Sequence, residues 1–428
     1  MNLKIPVWVF IPCYILISFS CNKVEVNSSA SSSSGIKFYG NQYGEILKSF
    51  GETADGGYLF GGYTNASNDT GGGGQGFIQK CDKNGTPEWY QTYGGAGIVN
   101  FFYVVRQTSD GGYIAAGSTS TNGYSSAGAY LVKTDAHGVL SWQKSFGANI
   151  YGAYFNDVKE TPDHGFVAVG FSYAIDENPL IVVKTDKNGN SLWTKKFIIQ
   201  KKHNSIGASV DIGPNGEIAI AASSQSEDTL SILYPSFTYL SPDGTLIIPQ
   251  ITYHDFGAMP YYGNAIYSNT EKIISVPGGF IYLAATGLKI GNPNNPNCST
   301  CGISLSMTVF KIDFSGNVLW KYPYNGKSGG ITFNDASINP DGVLLISGGT
   351  VDNLGVNYCW LMNTDASGNK TRESYIPVKG YNAWACGAVN NGNSLAVGVN
   401  LSPVLENHAG YFGFLITDPD GKIIDKTK

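Results

Sequence analysis

The stretch VKTDKNGNSLW at residues 183–193 is the most informative part of the chain about its fold. An apolar run ends at Thr185, the turn sequence DKNG follows at residues 186–189, and a second run carries Trp193. Asn-Gly between two apolar runs is the strongest short-range signal for a β-hairpin, because Gly readily adopts the positive φ of a tight turn. The stretch therefore predicts two antiparallel strands joined by a short turn.

The same Asp-x-x-Gly turn recurs along the chain, which indicates a repeat architecture. Its copies begin at Asp82, Asp135, Asp186, Asp313, Asp365 and Asp418, and a degenerate copy begins at Ser241. Four copies place a Trp four residues after the Gly: Trp89, Trp142, Trp193 and Trp320. The repeat length of roughly 50–60 residues lies in the range of propeller blades.

A second motif precedes each of these turns and completes the repeat. It reads DGGYL at residues 55–59, DGGYI at 110–114 and DHGFV at 163–167, with weaker copies in the other repeats. Each repeat then holds four strand signals, so residues 36–428 are predicted to form a seven-bladed β-propeller of four-stranded antiparallel blades. Six or eight blades are the alternatives. Residues 36–40 resemble an outermost strand and are predicted to pair in the last blade, which closes the ring.

The N-terminus resembles a bacterial lipoprotein signal. A positive start at Lys4 and an apolar run are followed by Ser20 and Cys21, which implies a signal peptide over residues 1–20 and a lipid on Cys21. Residues 21–35 are rich in Ser and read as a flexible tether. The expected location is the bacterial outer membrane, lipid-anchored and facing the periplasm or the cell surface. The alternative is ordinary secretion with a free Cys21.

Composition and cysteine spacing exclude several classes of function. A net charge of −5 argues against nucleic-acid binding, which needs clustered cations. Cys298 and Cys301 form a lone CxxC, which favours a local disulfide over a zinc site in an oxidising compartment. The state of Cys81, Cys359 and Cys386 stays open. No metal site and no cofactor are predicted.

The motifs at residues 185–193 and 110–114 look like propeller repeats of secreted and lipid-anchored proteins of Bacteroidota-type bacteria. They also resemble the quinoprotein-type repeat, although the spacing from Asp to Gly is one residue shorter here, so a quinone cofactor is not implied. The Asp box of sialidases is similar too, but with Arg106 and Arg372 as its only arginines the chain lacks the three that sialidase chemistry uses. These resemblances imply a fold and leave the function open.

The two faces of the predicted propeller differ in their loops. The short Asp-Gly turns share one face, here the turn face, which is expected to be structural. The long and irregular connections share the other, here the variable face, where binding is expected. Residues 251–264 concentrate the candidate ligand-binding residues Tyr253, His254, Asp255, Tyr261 and Tyr262. The competing interpretation is that these aromatic residues pack between blades or plug the central channel.

Two hypotheses for function follow. The first is a lipid-anchored binding or scaffold module for a protein or a glycan. The second is a carbohydrate-active enzyme, a lyase or a hydrolase, with its site on the variable face. No stretch carries a catalytic signature, so no catalytic residue is assigned and the first hypothesis is preferred.

Overall fold

Seven antiparallel sheets form a ring in this computed structural model. It describes residues 35–40, 44–64, 74–94, 98–120, 128–147, 152–172, 179–197, 206–225, 232–256, 259–260, 271–289, 303–325, 330–351, 356–404 and 410–424. Six of the sheets contain four consecutive strands in sequence order, with a two-residue strand added in the fourth blade, and the seventh sheet combines β1 (Ile36–Tyr39) with the last three strands. The fold is the seven-bladed β-propeller that the repeats predict.

Blades 1 to 4 follow one another along the chain. Blade 1 contains β2 (Glu45–Glu52), β3 (Tyr58–Thr64), β4 (Gly76–Cys81) and β5 (Pro87–Tyr93), and blade 2 contains β6 (Val99–Gln107), β7 (Tyr113–Ser120), β8 (Gly128–Thr134) and β9 (Leu140–Phe146). Blade 3 contains β10 (Ala153–Glu160), β11 (Phe166–Ser172), β12 (Leu180–Thr185) and β13 (Ser191–Phe197). Blade 4 contains β14 (Ile206–Ile212), β15 (Ile218–Gln225), β16 (Ile232–Leu240) and β17 (Leu246–Thr252), a short 3₁₀ helix (His254–Phe256) and β18 (Met259–Pro260).

Blades 5 to 7 complete the ring. Blade 5 contains β19 (Glu271–Val276), β20 (Gly279–Lys289), β21 (Ile303–Ile312) and β22 (Val318–Asn325), and blade 6 contains β23 (Ile331–Ile338), β24 (Leu344–Val351), β25 (Asn357–Thr364) and β26 (Lys370–Ile376). Blade 7 contains β27 (Tyr381–Asn391), β28 (Ser394–Pro403), β29 (Tyr411–Thr417) and, from the N-terminus, β1 (Ile36–Tyr39). Among the described residues, no helix has the length and apolar character needed to cross a membrane.

The ring closes through β1, as the sequence predicts. This strand pairs antiparallel with β29, and the register places Ile36 opposite Leu415 and Tyr39 opposite Phe412. The last blade therefore takes its outermost strand from the start of the described chain and its other three from the end. Covering β29 in this way removes an open strand edge from blade 7.

Each Asp-x-x-Gly turn is held by its own aspartate. In blade 1 the Asp82 carboxylate accepts the backbone N–H groups of Asn84 and Thr86 at 2.8 and 2.7 Å. Gly85 has a φ of 73°, a conformation that a residue with a Cβ rarely adopts. The same pattern recurs at Asp186 and Asp365, so these turns are structural, as the sequence indicates.

Outer-strand aromatic residues join each blade to the next. The Trp89 ring lies 5.4 Å from that of Tyr113 in blade 2, and a Cβ added to Gly138 would lie 2.7 Å from the Trp89 ring. The Tyr93 hydroxyl donates a hydrogen bond to the Gly138 carbonyl at 2.8 Å. Trp142, Trp193 and Trp320 lie in the same way against the turn glycines of their neighbouring blades, at Gly189, Gly244 and Gly368. These tryptophans are half-buried packing residues, which agrees with their repetition in the sequence.

The first strand of each blade lines the centre of the ring, where consecutive inner strands pack against one another. Six of these seven strands carry a β-bulge, at Lys48, Tyr103, Asn156, Ala208, Asn334 and Cys386. A bulge turns the strand and re-aims the side chains beside it. Several of these side chains face a cavity at the centre of the propeller.

Candidate functional site

A cavity of about 380 Å³ lies at the centre of the ring. It is bounded by the inner strands of blades 1, 2, 3, 5 and 6 and reaches the turn face at the ends of β2, β6 and β10. Its lining contains four cationic side chains, Lys48, Arg106, Lys159 and Lys272, and five carboxyl groups, Glu52, Asp157, Glu160, Glu271 and Asp335. The cavity is therefore polar and unusually rich in charge for a chain with 14% charged residues.

Three ion pairs cross from one blade to the next around this cavity. Arg106 of blade 2 contacts Asp157 of blade 3 at 2.7 Å, and Lys159 of blade 3 contacts Asp211 of blade 4 at 3.0 Å. Lys272 of blade 5 contacts Asp335 of blade 6 at 2.5 Å. The pairs tie neighbouring inner strands together while each cation still faces the shared space.

The register of the inner strands explains why these groups meet. Arg106, Lys159 and Asp211 each pair with the second residue of the following strand, so they lie at one level of the ring. Asp157 and Asp335 lie two residues deeper, each opposite the fourth residue of the following strand. Charged side chains thus form two layers at the centre of the propeller.

Asp157 is the most enclosed of these carboxylates, with 4% of its side chain exposed. It accepts hydrogen bonds from the Ser209 hydroxyl at 2.9 Å and the Val210 backbone N–H at 3.2 Å, besides the contact with Arg106. Burial alone would raise the pKa of Asp157, but the nearby charges of Arg106, Lys272 and Lys159 lower it to about 2. The group is therefore ionised at neutral pH, and three cations converge on it.

Glu271 is buried in the same cavity but makes no ion pair with the described residues. Its residue is 3% exposed, and one carboxyl oxygen accepts a hydrogen bond from the Ser223 hydroxyl. The other oxygen, Oε2, has no hydrogen-bond partner among the described residues. Burial raises the pKa of Glu271 well above its ordinary value of 4.5, although Ser223 and Tyr282 oppose the shift. Burial therefore favours the protonated, uncharged form of Glu271 more than it is favoured in an exposed glutamate.

Burial shifts the pKa of two lysines of the cavity in the direction opposite to that of Glu271. Burial lowers the pKa of Lys159, and repulsion from Arg106 and Lys272 adds to the shift, against the attraction of Asp211 and Asp157. Burial also lowers the pKa of Lys48, while Cys386 raises it. Lys48 is the bulge residue of β2. Mutual repulsion among the cations means that a bound anion would be stabilised there.

The rim on the turn face carries a further polar cluster. Glu160 accepts hydrogen bonds from the Ser109 backbone N–H at 2.7 Å and the Ser109 hydroxyl at 2.5 Å, and lies 3.2 Å from His164 Nδ1. His164 has a φ of 60°, at the turn position where blades 1 and 2 have Gly56 and Gly111. Both Ser109 and His164 engage the carboxylate, so the cluster ties blade 2 to blade 3 at the cavity mouth.

The sequence-predicted residues of the variable face lie elsewhere. Tyr253 is 6% exposed, and its hydroxyl donates to the Gly316 carbonyl of blade 5 at 2.9 Å, as Tyr93 does to Gly138. His254 and Asp255 are exposed in the 3₁₀ helix, and the His254 ring lies 4.7 Å from that of Tyr234. Tyr253 thus has the contacts of a packing residue, whereas the two polar neighbours face solvent.

Several other predicted residues fall outside the described residues. Tyr261 and Tyr262, the pair Cys298 and Cys301, and Cys21 with the rest of residues 1–34 belong to this group. Their assigned roles therefore stay predictions. So do the predicted boundaries of the signal peptide and the tether.

The remaining three cysteines are free and buried. Burial raises the pKa of Cys81 to about 11, and it raises the pKa of Cys386 to about 12. Burial likewise raises the pKa of Cys359. Thiols held in this protonated form are poor nucleophiles, so these cysteines act as small packing residues. Within the described part of the chain, no group of three His, Cys, Asp or Glu residues could hold a metal ion.

Sequence reasoning missed the central cavity because its residues come from five separate repeats. A local signal does exist: Arg106, Asp157, Lys159 and Lys272 interrupt apolar inner strands where the repeat favours buried residues. The clearest of these charged residues in an apolar strand is the arginine of the sequence VVRQ at residues 104–107, because the chain has only two arginines.

No known family profile matches the chain, and no curated protein matches it significantly. Among solved structures, an ulvan lyase of polysaccharide lyase family PL25 is similar, with a TM-score of 0.54 and 8% identity over 90% of this chain and 97% of that chain. The polysaccharide lyase Uly1 has a TM-score of 0.52 and 10% identity over 91% and 94%. A protein of unknown function from Dyadobacter fermentans DSM 18053 has a TM-score of 0.48 and 10% identity over 91% and 99%. The protein is thus a seven-bladed propeller that resembles these proteins in fold, without a family assignment.

Proposed function

We propose that this protein is a lipid-anchored propeller of the bacterial outer membrane that acts as a binding module for a glycan or a protein. The observation that carries the proposal is the polar central cavity, which is walled by rigid strands of five blades. Such a preformed concave site loses little conformational entropy when it takes a ligand. The anchor and the location rest on the residues around Cys21.

The contacts of the cavity carboxylates favour binding over catalysis. Asp157 and Asp335 each hold a cation, and Glu160 is engaged by Ser109 and His164. A general base needs a carboxylate or imidazole that is free to take a proton from a substrate. The carboxylates with the strongest contacts thus stabilise the structure of the site.

The binding test uses residues 36–428 on a glycan array and in pull-downs from an outer-membrane extract. We compare the wild type with Tyr261→Ala/Tyr262→Ala on the variable face and with Arg106→Gln in the cavity. Binding that either variant abolishes while the protein stays folded supports the proposed function and locates the site. A folded protein that captures neither glycans nor proteins would reject it.

The anchor is tested separately with Cys21→Ala in the full chain. We expect the wild type in the membrane fraction with lipid mass on Cys21, and the variant in the soluble fraction. A Cys21→Ser variant should behave in the same way, because a hydroxyl does not replace the thiol as lipid acceptor. A variant that stays in the membrane fraction would contradict the lipid anchor.

A carbohydrate-active lyase or hydrolase is the second candidate, and Glu271 is the observation that favours it. A neutral carboxylic acid beside several cations is suited to give a proton to a leaving oxygen. The ulvan lyases that share the propeller fold make an acidic polysaccharide the first substrate to try. Incubation of the wild type with ulvan or polygalacturonate should then yield unsaturated products that absorb in the ultraviolet. The Glu271→Gln variant should not produce them.

A further inference from the structure

We propose that the central cavity binds the carboxylate of a sugar acid, with Arg106, Lys159 and Lys272 around the anion. The inference rests on the proposed binding function and adds the chemistry of its ligand. The ligand is either a free sugar acid or the acidic end of a glycan chain.

The balance of charge inside the cavity favours an anion. Below the rim, four cationic side chains face the cavity: Lys48, Arg106, Lys159 and Lys272. They are opposed there by two carboxylates in ion pairs, Asp157 and Asp335, and by Asp211 behind Lys159, while Glu52 and Glu160 of the lining lie at the rim. Glu271 adds no negative charge when it is neutral. A carboxylate placed among the cations would offset this excess and relieve their mutual repulsion.

The cations keep hydrogen-bonding capacity for such a ligand. Arg106 uses Nε and Nη2 on Asp157 and the Val158 carbonyl, and its Nη1 makes no hydrogen bond with the described residues. The Arg106 and Lys159 side chains are 25% and 27% exposed although both belong to inner strands. A guanidinium with a free edge beside an ammonium group is well suited to hold a carboxylate.

Two unpartnered oxygen atoms at the cavity wall supply the second observation. Glu271 Oε2 and Asn156 Oδ1 are buried and have no hydrogen-bond partner among the described residues. Leaving such atoms buried and unpaired is energetically unfavourable. A ligand hydroxyl would pair with either atom only after its side chain turns towards the cavity, because less than 1 Å² of each atom is accessible.

The size and the remaining lining residues fit a hydroxylated ligand. A volume of about 380 Å³ lies within the range of small-molecule sites. Ser49, Asn334 and Gln107 add neutral polar side chains to the lining, each of which also makes a hydrogen bond within the protein, and Tyr103 adds an aromatic surface. A sugar ring presents both hydroxyls and an apolar face, which together match these residues.

The experiment is isothermal titration of residues 36–428 with glucuronate, glucose, sulfate and an oligosaccharide that ends in glucuronate. We expect glucuronate to bind. Glucose, which lacks the carboxylate, and sulfate, which lacks the sugar ring, should each bind at least about tenfold more weakly. Binding of the oligosaccharide alone would assign the glycan end as the ligand, and tight binding of free glucuronate would assign the monosaccharide.

Variants separate this site from a purely structural ring of ion pairs. Arg106→Gln and Lys159→Gln should each weaken glucuronate binding at least about tenfold, while Lys196→Gln on the exposed surface of β13 should leave it unchanged. If Arg106→Gln fails to fold, Lys159→Gln carries the test.

Three outcomes would overturn the inference: no heat with glucuronate at millimolar concentration, equal affinity for glucose, or wild-type affinity in both folded variants. If glycans are then still captured through Tyr261 and Tyr262, the proposed binding function stands and the sugar-acid site alone is rejected. If nothing is captured at all, both are rejected.

Discussion

Two buried carboxyl groups in one cavity show that residue type alone does not determine protonation. Asp157 and Glu271 are both almost fully buried, yet the pKa of Asp157 is lowered and that of Glu271 is raised. Three cations surround Asp157 and outweigh the cost of its burial, whereas Glu271 has only neutral hydrogen-bond partners. The charge of each group is therefore set by what the other blades bring beside it.

We predict that Glu271→Gln stabilises the fold at neutral pH. Because the folded-state pKa lies above 4.5, the unfolded chain releases this proton first, and stability falls as the pH rises from 4.5 towards the folded-state pKa. Glutamine has the shape of the neutral acid and does not ionise, so the variant does not lose this stability as the pH rises. Urea unfolding should give equal stability near pH 4 and a gain for the variant at pH 8, increasing by at most about 1.4 kcal/mol per pH unit.

Glu52→Gln is the matched control, because Glu52 lies at the exposed end of β2. Its stability relative to the wild type should change little with pH. A Glu271→Gln protein no more stable than the wild type at pH 8 would show that the pKa of this carboxyl is not raised in the folded protein.

At the scale of the element, outermost strands link one blade to the next through hydrogen bonds. A tyrosine near the end of the strand donates its hydroxyl to the carbonyl of the turn glycine in the following blade. The pairs are Tyr39 with Gly85, Tyr93 with Gly138, Tyr253 with Gly316 and Tyr324 with Gly368. Repetition in four blades marks this contact as part of the repeat and favours packing as the role of Tyr253, whose predicted ligand binding stays a prediction.

Tyr253→Phe should destabilise the protein by about 1 kcal/mol, because it removes one buried hydrogen bond and keeps the ring in its cluster. Tyr322→Phe in β22 is the control, since the Tyr322 hydroxyl makes no hydrogen bond with the described residues, and it should cost less than half as much. Chemical denaturation measures both values. Unchanged stability of Tyr253→Phe combined with lost ligand binding would assign Tyr253 to a ligand site after all.

At the scale of the whole molecule, stability depends on the closed ring. β1 supplies Tyr39, whose ring packs against Phe60 of blade 1 and Phe412 of blade 7. Inner strands of blades 7 and 1 are joined as well, because Cys386 Sγ and Asn400 Nδ2 contact the Leu47 carbonyl at 3.3 and 2.8 Å. The first and last blades are therefore held together both by β1 and by the contacts of Cys386 and Asn400 with Leu47.

A chain that begins at residue 41 should melt several degrees below one that begins at residue 35 and should aggregate more readily. The shorter chain loses the buried Tyr39 and leaves β29 as an open strand edge. Differential scanning calorimetry and light scattering measure the two effects. Equal melting temperatures for the two chains would mean that β1 contributes little to closure.

The sequence by itself determined the repeat, the number of blades and the place where the ring closes. Each of these depends on local chemistry: an aspartate that caps its own turn, a glycine with positive φ, and strand patterns that recur seven times. Tyr253 was open to two interpretations at that stage, because sequence shows that an aromatic residue is present but not which blade it packs against.

Only the tertiary structure decided where the charged groups meet. Arg106 and Asp157 are 51 positions apart, and Lys272 and Asp335 are 63 positions apart. Each is a charged residue in an otherwise apolar inner strand, but its own repeat does not show which partner it meets. Their convergence depends on the register of every strand and on the bulges that aim the side chains, and ring closure brings five such strands around one space. A pattern that is local in the chain cannot contain that information, because the cavity exists only between repeats.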